Sequence, residues 1–222
     1  MCKGNQMKQV YNEKHTIAWF KIADYVSRGE KERALGMYKL LSHSIDDTAL
    51  KLQIEADILW AFNDDEFKNK YQQAAQFYCA QGRLLQATAI YEHLLFIKEA
   101  EDMRIQLIEW YSALKNQVAV FRHVSYMCLH YARLNEWQKG IQLLGEYKTK
   151  VSQTDYVKIE EQLIIFAASE KIPLNELLRT LMRDIILYYQ TNEFEAIVKL
   201  HDLLSGINET YQKVFCEQMN TK

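Results

Sequence analysis

Histidines and cysteines are the first residues in this sequence to consider for catalysis or metal binding. The six histidines form no HExxH or HxxxH pair, the spacing that places two imidazoles on one helical face to share a zinc ion. Cys128 and His130 are two residues apart, so on a helix they point roughly 200° away from each other. We expect every histidine at the surface or at its boundary, and neither a catalytic residue nor a metal site.

Neighbouring carboxylates are the second type of residue that could do chemistry. Asp46–Asp47 and Asp64–Asp65 each precede a helical pattern, a position that favours N-capping over general acid–base catalysis. The sequence also has no phosphate-binding glycine loop and no GxSxG nucleophile motif. It therefore predicts a protein that is not an enzyme and needs no cofactor.

Charge and composition restrict the class of partner. The 222 residues include 27 basic and 29 acidic side chains, interspersed along the chain, so no basic excess indicates nucleic-acid binding. The four cysteines are far apart without a CxxC pair, which favours reduced thiols. No apolar stretch suits a signal peptide or a membrane span, and we expect a cytoplasmic protein without membrane insertion.

One pattern of residues recurs every 53 positions. Tyr25, Tyr78 and Tyr131 are each followed by a turn residue four positions later and a small residue nine positions later. A turn residue that tolerates a left-handed backbone can end a helix, and a small residue lets two helices approach closely. The turn residues are Gly29, Gly82 and Asn135, and the small residues are Ala34, Ala87 and Gly140, with Ala196 in a weaker fourth copy.

The pattern resembles the tetratricopeptide repeat (TPR), a helical hairpin of about 34 residues. In the second copy the matching residues are Tyr71, Ala74–Ala75, Tyr78, Gly82, Ala87 and Tyr91. The chain departs from the family in its 53-residue period and in lacking the terminal proline. In the fourth copy, Asp184 stands at the small position that Ala75 occupies in the second copy.

The additional residues of each period carry their own helical pattern. Apolar residues at Leu50, Ile54 and Ile58 are followed 53 positions later by Met103, Leu107 and Tyr111. Each unit is therefore predicted to be a TPR-like hairpin plus a third helix, and an array of successive helix pairs is the alternative. The predicted fold is an all-α, right-handed superhelical α-solenoid of about twelve helices. Its expected divisions are an arm at 1–14, repeat units at 15–63, 64–116 and 117–170, and a fourth unit with a capping helix at 171–220.

The resemblance also implies where a partner would bind. In TPR proteins the first helix of each hairpin lines a concave groove, which here implies Trp19, Asn69, Gln72, Gln76, Arg122, Ser125, Arg133, Tyr188 and Tyr189. Amide side chains can hydrogen-bond an extended peptide, and the two arginines can pair with an acidic group. The alternative is that these positions are ordinary solvated surface.

The function that this resemblance implies is protein–protein interaction. We expect an adaptor, assembly factor or chaperone that presents its groove to a peptide or helix of a partner protein. A peptide-sensing regulator is one alternative. A structural subunit that self-associates through the Trp19 helix and the C-terminal helix is another.

Overall fold

Twelve α-helices and no β-strand form the part of the chain that the computed structural model describes, residues 16–220. The first helix, α1, spans 16–27. The others are α2 (Lys31–Ser42), α3 (Thr48–Ala61), α4 (Glu66–Ala80), α5 (Leu84–Ile97), α6 (Glu101–Ala113), α7 (Gln117–Arg133), α8 (Trp137–Glu146), α9 (Gln153–Ser169), α10 (Glu176–Asn192), α11 (Phe194–Ile207) and α12 (Glu209–Asn220). The predicted all-α class and helix number are confirmed, whereas the predicted arm at 1–14 lies outside the described residues.

The helices recur with the period read from the sequence. Helices α2, α5 and α8 begin at Lys31, Leu84 and Trp137, which are 53 residues apart. The third helices α3 and α6 begin at Thr48 and Glu101, again 53 residues apart. A helix after each hairpin is therefore part of the fold, while the unit boundaries at 63, 116 and 170 stay a proposal.

A left-handed residue ends the first helix of three successive hairpins, as the sequence predicts. The φ angle is +73° at Gly29 and Gly82 and +61° at Asn135. At the first of these turns the Glu30 N–H donates to the Tyr25 carbonyl at 2.9 Å, the six-to-one bond of a Schellman motif. The same bond follows Gly82 and Asn135. The periodic glycine or asparagine therefore sets the turn of each hairpin.

A second series of left-handed residues separates each third helix from the next hairpin. These residues are Asn63, Lys115 and Lys171, with φ angles of +53°, +56° and +52°. Their turns have the same six-to-one bond, such as Asn116 N–H to the Tyr111 carbonyl at 2.9 Å. Both kinds of connection thus use one turn geometry, although only the first has glycine in two of its three copies.

Small residues occupy the predicted close contacts between helices. Ala34 and Ala87 are fully buried. A Cβ atom added to Gly140 would lie 3.3 Å from the Cys128 carbonyl oxygen and 3.4 Å from the Tyr131 Cβ atom. The backbones of α7 and α8 therefore approach closely at this position, as the repeat pattern predicts.

An acidic cap, predicted from the sequence, and a hydroxyl cap are present at two helix starts. The Asp47 side chain accepts hydrogen bonds from the Ala49 and Leu50 N–H groups at 3.0 and 3.2 Å and thereby caps α3. Ser152 accepts from the Asp155 N–H at 3.1 Å and caps α9. These side chains stabilise the starts of α3 and α9.

The chain divides between Met103 and Arg104 into two compact units, which we call the N-terminal body and the C-terminal body. One core of the N-terminal body consists of Ile22, Ala34, Tyr38, Leu41 and Ile58. The core of the C-terminal body extends to Tyr211, Val214 and Phe215 of α12. The last helix therefore packs this apolar face against α10 and α11.

Candidate functional site

An open cleft of about 500 Å³ lies between α1 and α3 of the N-terminal body. Its walls are mostly apolar, and Trp19 stands at its edge with 38% of its surface exposed. The other lining residues are Ala23, Val26, Ser27, Ile54, Asp57, Ile58 and Ala61. The third helix of the first repeat thus forms one wall of this cleft.

A second cleft, of about 300 Å³, lies between α3, α4 and α5. Trp60 is 45% exposed there, and its ring meets the edge of His93 at 4.6 Å between centroids. Tyr71 contacts the same imidazole at 5.3 Å, again edge to face. The remaining lining residues are Gln53, Asp57, Gln86, Ala89 and Ile90.

Asp57 belongs to both clefts. Its carboxylate accepts a hydrogen bond from the Tyr71 hydroxyl, while the Asp57 side chain stays exposed. The pKa of the Tyr71 phenol is raised, mainly by burial of the ring and secondly by this hydrogen bond. Tyr71 therefore stays protonated as a donor and holds the carboxylate where the two clefts meet. We call the residues lining these two clefts the tryptophan face.

The sequence of α3 explains why this face is exposed. Helix α3 buries Ala56, Ile58 and Leu59, yet Leu50 and Trp60 on its other sides are exposed. Helix α3 carries apolar residues on more sides than its neighbouring helices bury. The remaining apolar surface is available for contact with another molecule.

The amide row predicted on α4 lies elsewhere. Asn69 and Gln76 are exposed, Gln72 is half-buried, and none of the three lines either cleft. The Asn69 side chain accepts a hydrogen bond from Gln73 at 3.0 Å. Of the predicted binding residues in the N-terminal body, only Trp19 thus belongs to the tryptophan face.

The predicted arginines of α7 are exposed in the C-terminal body. Beside Arg122, the imidazole of His123 is only 1% exposed. Its ring stacks on Tyr111 at 5.6 Å, and its Nδ1 and Nε2 atoms lie 3.0 and 3.2 Å from the guanidinium groups of Arg104 and Arg122. The expectation that every histidine lies at the surface is therefore wrong for His123, because aromatic and cationic neighbours enclose it.

Two other predicted binding residues are buried and need correction. Ser125 is 8% exposed and donates a hydrogen bond to Gln162. Tyr189 is 3% exposed and donates to Glu161 at 2.5 Å. Each side chain uses its hydroxyl inside the C-terminal body, so neither is accessible to a partner in this structure.

Tyr188, next to Tyr189 on α10, is half-buried and remains accessible. It shares a hydrogen bond of 2.7 Å with Thr154 and lines a cleft between α9 and α10. Tyr188 is therefore the predicted binding residue of α10 that lies at an open surface.

Within residues 16–220, no three histidine, cysteine or acidic side chains cluster closely enough to hold a metal ion. None of the helices over this range combines the length and apolar character needed to cross a membrane.

Comparison with known proteins finds similarity to solved structures. No family model matches the chain, and no curated protein matches it. A crystal structure of TPR-like repeats, described as a kinesin light chain from Podosopora anserina, aligns over 95% of this chain and 97% of its own. The identity is 12% and the TM-score 0.32, so this similarity carries no argument about function. The helices, left-handed turns and small-residue contacts described above are what define the chain as a repeated set of helical hairpins.

Proposed function

We propose that this chain is a non-enzymatic protein-interaction module whose tryptophan face binds a segment of a partner protein. The observation that carries the proposal is the pair of partly exposed tryptophans, Trp19 and Trp60, in two clefts that share Asp57. Tryptophan is the residue type that most often dominates the binding energy of protein interfaces.

The chemistry of the face defines the kind of segment it would take. The cleft between α1 and α3 suits an apolar side chain, because its walls include Ile54, Ile58 and Val26. Asp57 suits a basic side chain or an N–H donor beside that anchor. Both clefts exist in the free chain, which lowers the ordering cost of binding.

The groove residues predicted from the sequence stay part of the proposal as additional contacts, one set in each body. The amide row of Asn69, Gln72 and Gln76 can bond a peptide backbone, and Arg122 and Arg133 can receive an acidic group. We propose a cytoplasmic adaptor, assembly factor or chaperone, without nucleic-acid binding or membrane insertion.

Affinity capture from the native lysate tests this function. Wild type and Trp60→Ala are compared with Phe96→Ala, a control that removes an aromatic residue 89% exposed and outside both clefts. We expect a captured protein to be lost with Trp60→Ala and retained with Phe96→Ala, with equal helical circular dichroism for all three.

Three other outcomes would contradict the proposed face. If Arg122→Glu/Arg133→Glu abolishes the capture and Trp60→Ala does not, the interface lies at the arginines. Capture of the chain itself alone would indicate a self-associating subunit. A captured short peptide that compacts the chain in solution scattering would indicate a sensor.

A further inference from the structure

A cleft of about 470 Å³ in the C-terminal body contains a buried carboxyl group with an oxygen atom that no described residue hydrogen-bonds. Helices α9 and α10 and the segment after α8 form its walls. Its lining residues are Lys148, Gln153, Tyr156, Val157, Glu160, Asp184, Leu187, Tyr188 and Thr191. All of them lie outside the tryptophan face.

Glu160 is the unusual residue of this cleft. It is 1% exposed, and its buried Oε2 atom has no hydrogen-bond partner among residues 16–220. Burial raises the pKa of Glu160 to about 8, Asp184 adds to the increase, and Lys148 opposes it. A carboxyl group in this position is expensive to ionise unless a cation compensates the charge.

The fold does not supply that cation directly. The Lys148 ammonium group lies 5.3 Å from the centre of the Tyr156 ring. Within the described residues, no ion pair joins Lys148 to Glu160 or to Asp184. Both carboxyl groups of the cleft therefore lack a paired positive charge.

The remaining walls suit the body of an organic cation. Tyr156 and Tyr188 offer aromatic rings, and ammonium groups are attracted to the faces of such rings. Val157 and Leu187 add apolar surface for a carbon chain. An apolar cleft with a few charged groups is the usual form of a small-ligand site.

We propose that this cleft binds an organic ammonium ion, with its charge between Glu160 and Asp184 and its carbon chain against Tyr156 and Tyr188. The ion is either a free alkylamine or the lysine side chain of a bound protein, which share this chemistry. The proposal is independent of the tryptophan face, because all residues of the cleft belong to the C-terminal body.

Binding of such a cation is coupled to loss of a proton from Glu160. The titratable groups around Glu160 are Lys148, Tyr156 of α9, Asp184 and Tyr188 of α10, and Cys128 of α7, which interacts with Tyr156. Burial raises the pKa values of Tyr156 and Cys128 to about 12, so neither changes charge near neutral pH. Below the pKa of Glu160, each pH unit upward is therefore expected to strengthen cation binding about tenfold.

Isothermal titration calorimetry with hexylammonium chloride tests the proposal, with 1-hexanol as the uncharged control. For the full chain we expect the hexylammonium Kd to fall about tenfold between about pH 6 and about pH 7. Hexanol should bind more weakly and without this dependence. Nα-acetyl-lysine methylamide, which keeps the side-chain ammonium group, is the third ligand. Tighter binding of this compound than of hexylammonium assigns the site to a protein lysine, and the reverse assigns it to a free amine.

Two variants and one control assign the effect to the cleft. Glu160→Gln should weaken hexylammonium at least about tenfold at pH 7 and remove the pH dependence. Asp184→Asn, at an exposed position, should also weaken binding and serves if the first variant does not fold. Glu170→Gln, an exposed control, should change neither quantity. The proposal is overturned if no ammonium probe binds better than hexanol, or if binding is unchanged in Glu160→Gln and Asp184→Asn.

Discussion

The guanidinium carbon of Arg83 lies 4.4 Å from the centre of the Tyr78 ring. The same guanidinium pairs with Asp47, the N-cap of α3. The Tyr78 hydroxyl in turn donates to the Gln53 side chain at 2.8 Å. The repeated tyrosine is thus the point where one hairpin is joined to the third helix of the preceding repeat.

Replacement of Asp47 by alanine is expected to destabilise the chain by about 1 kcal/mol, because α3 loses its cap. The bond from Arg83 lowers the pKa of Asp47 below its ordinary value. The stabilisation of the folded chain by the Asp47 carboxylate is therefore present above about pH 4 and is lost as pH falls through the lower folded-state pKa. Urea unfolding at neutral and acidic pH measures both effects. Asp46→Ala, at the exposed neighbouring position, should change stability much less, and an equal loss would contradict the capping role.

Gly140→Val is expected to destabilise the chain by roughly 1–3 kcal/mol, because the added atoms meet the Cys128 carbonyl and the Tyr131 side chain. Gly36 is the matched control, since a Cβ atom there meets no atom of another described part of the chain within 4 Å. Gly36→Val should change the free energy of unfolding by less than about 0.5 kcal/mol. Similar losses in both variants would show that helix propensity, and not the close contact, determines the effect.

At residues with a left-handed backbone, removing a glycine is expected to lower stability, and introducing one is expected to raise it. Gly82→Ala should cost about 1 kcal/mol because of its φ angle of +73°. Lys115→Gly should raise the melting temperature, because a lysine there adopts a φ angle of +56°. Lys98→Gly, where the backbone is extended, should lower it. A lower melting temperature for Lys115→Gly would contradict strain at this turn.

Because the pKa of Glu160 is raised in the folded chain, we expect the free energy of unfolding to decline as pH rises. The folded-state pKa of about 8 exceeds the ordinary glutamate value of about 4.3, so the folded chain binds more protons between these values. The free energy of unfolding attributable to Glu160 therefore falls as pH rises from about 4.3 to about 8. Glu160→Gln should flatten the decline in chemical denaturation, whereas Glu170→Gln should follow wild type. An unchanged decline in Glu160→Gln would contradict the raised pKa.

The sequence was sufficient to predict the all-α class, the recurring helices and the hairpin turns. Periodic residues such as Gly82, Ala87 and Tyr78 have one physical role in every copy, so spacing alone identifies them. The predictions failed where a side chain's neighbours come from distant parts of the sequence. Ser125 and Tyr189 are buried by partners that no local pattern indicates, at Gln162 and Glu161.

The tryptophan face could not be predicted for a related reason. Trp60 fits the apolar pattern of α3, and periodicity does not distinguish a buried from an exposed side of a helix that is apolar on several sides. Its exposure depends on where α4 and α5 pack. The sequence signal for this face was Trp60 near Asp57, in a helix that has more apolar residues than a single buried side requires.

Photo-crosslinking from two matched positions in the N-terminal body tests whether a partner protein binds the tryptophan face. A photoreactive phenylalanine derivative replaces Gln86, which lines the tryptophan face, or Gln76, which lies on the amide row of α4. Both glutamines are exposed, so either replacement leaves the core intact. We predict a crosslinked partner protein from position 86, lost when Trp60→Ala is added. A crosslink from position 76 alone would contradict binding at the tryptophan face and would place the partner on the first helices of the hairpins.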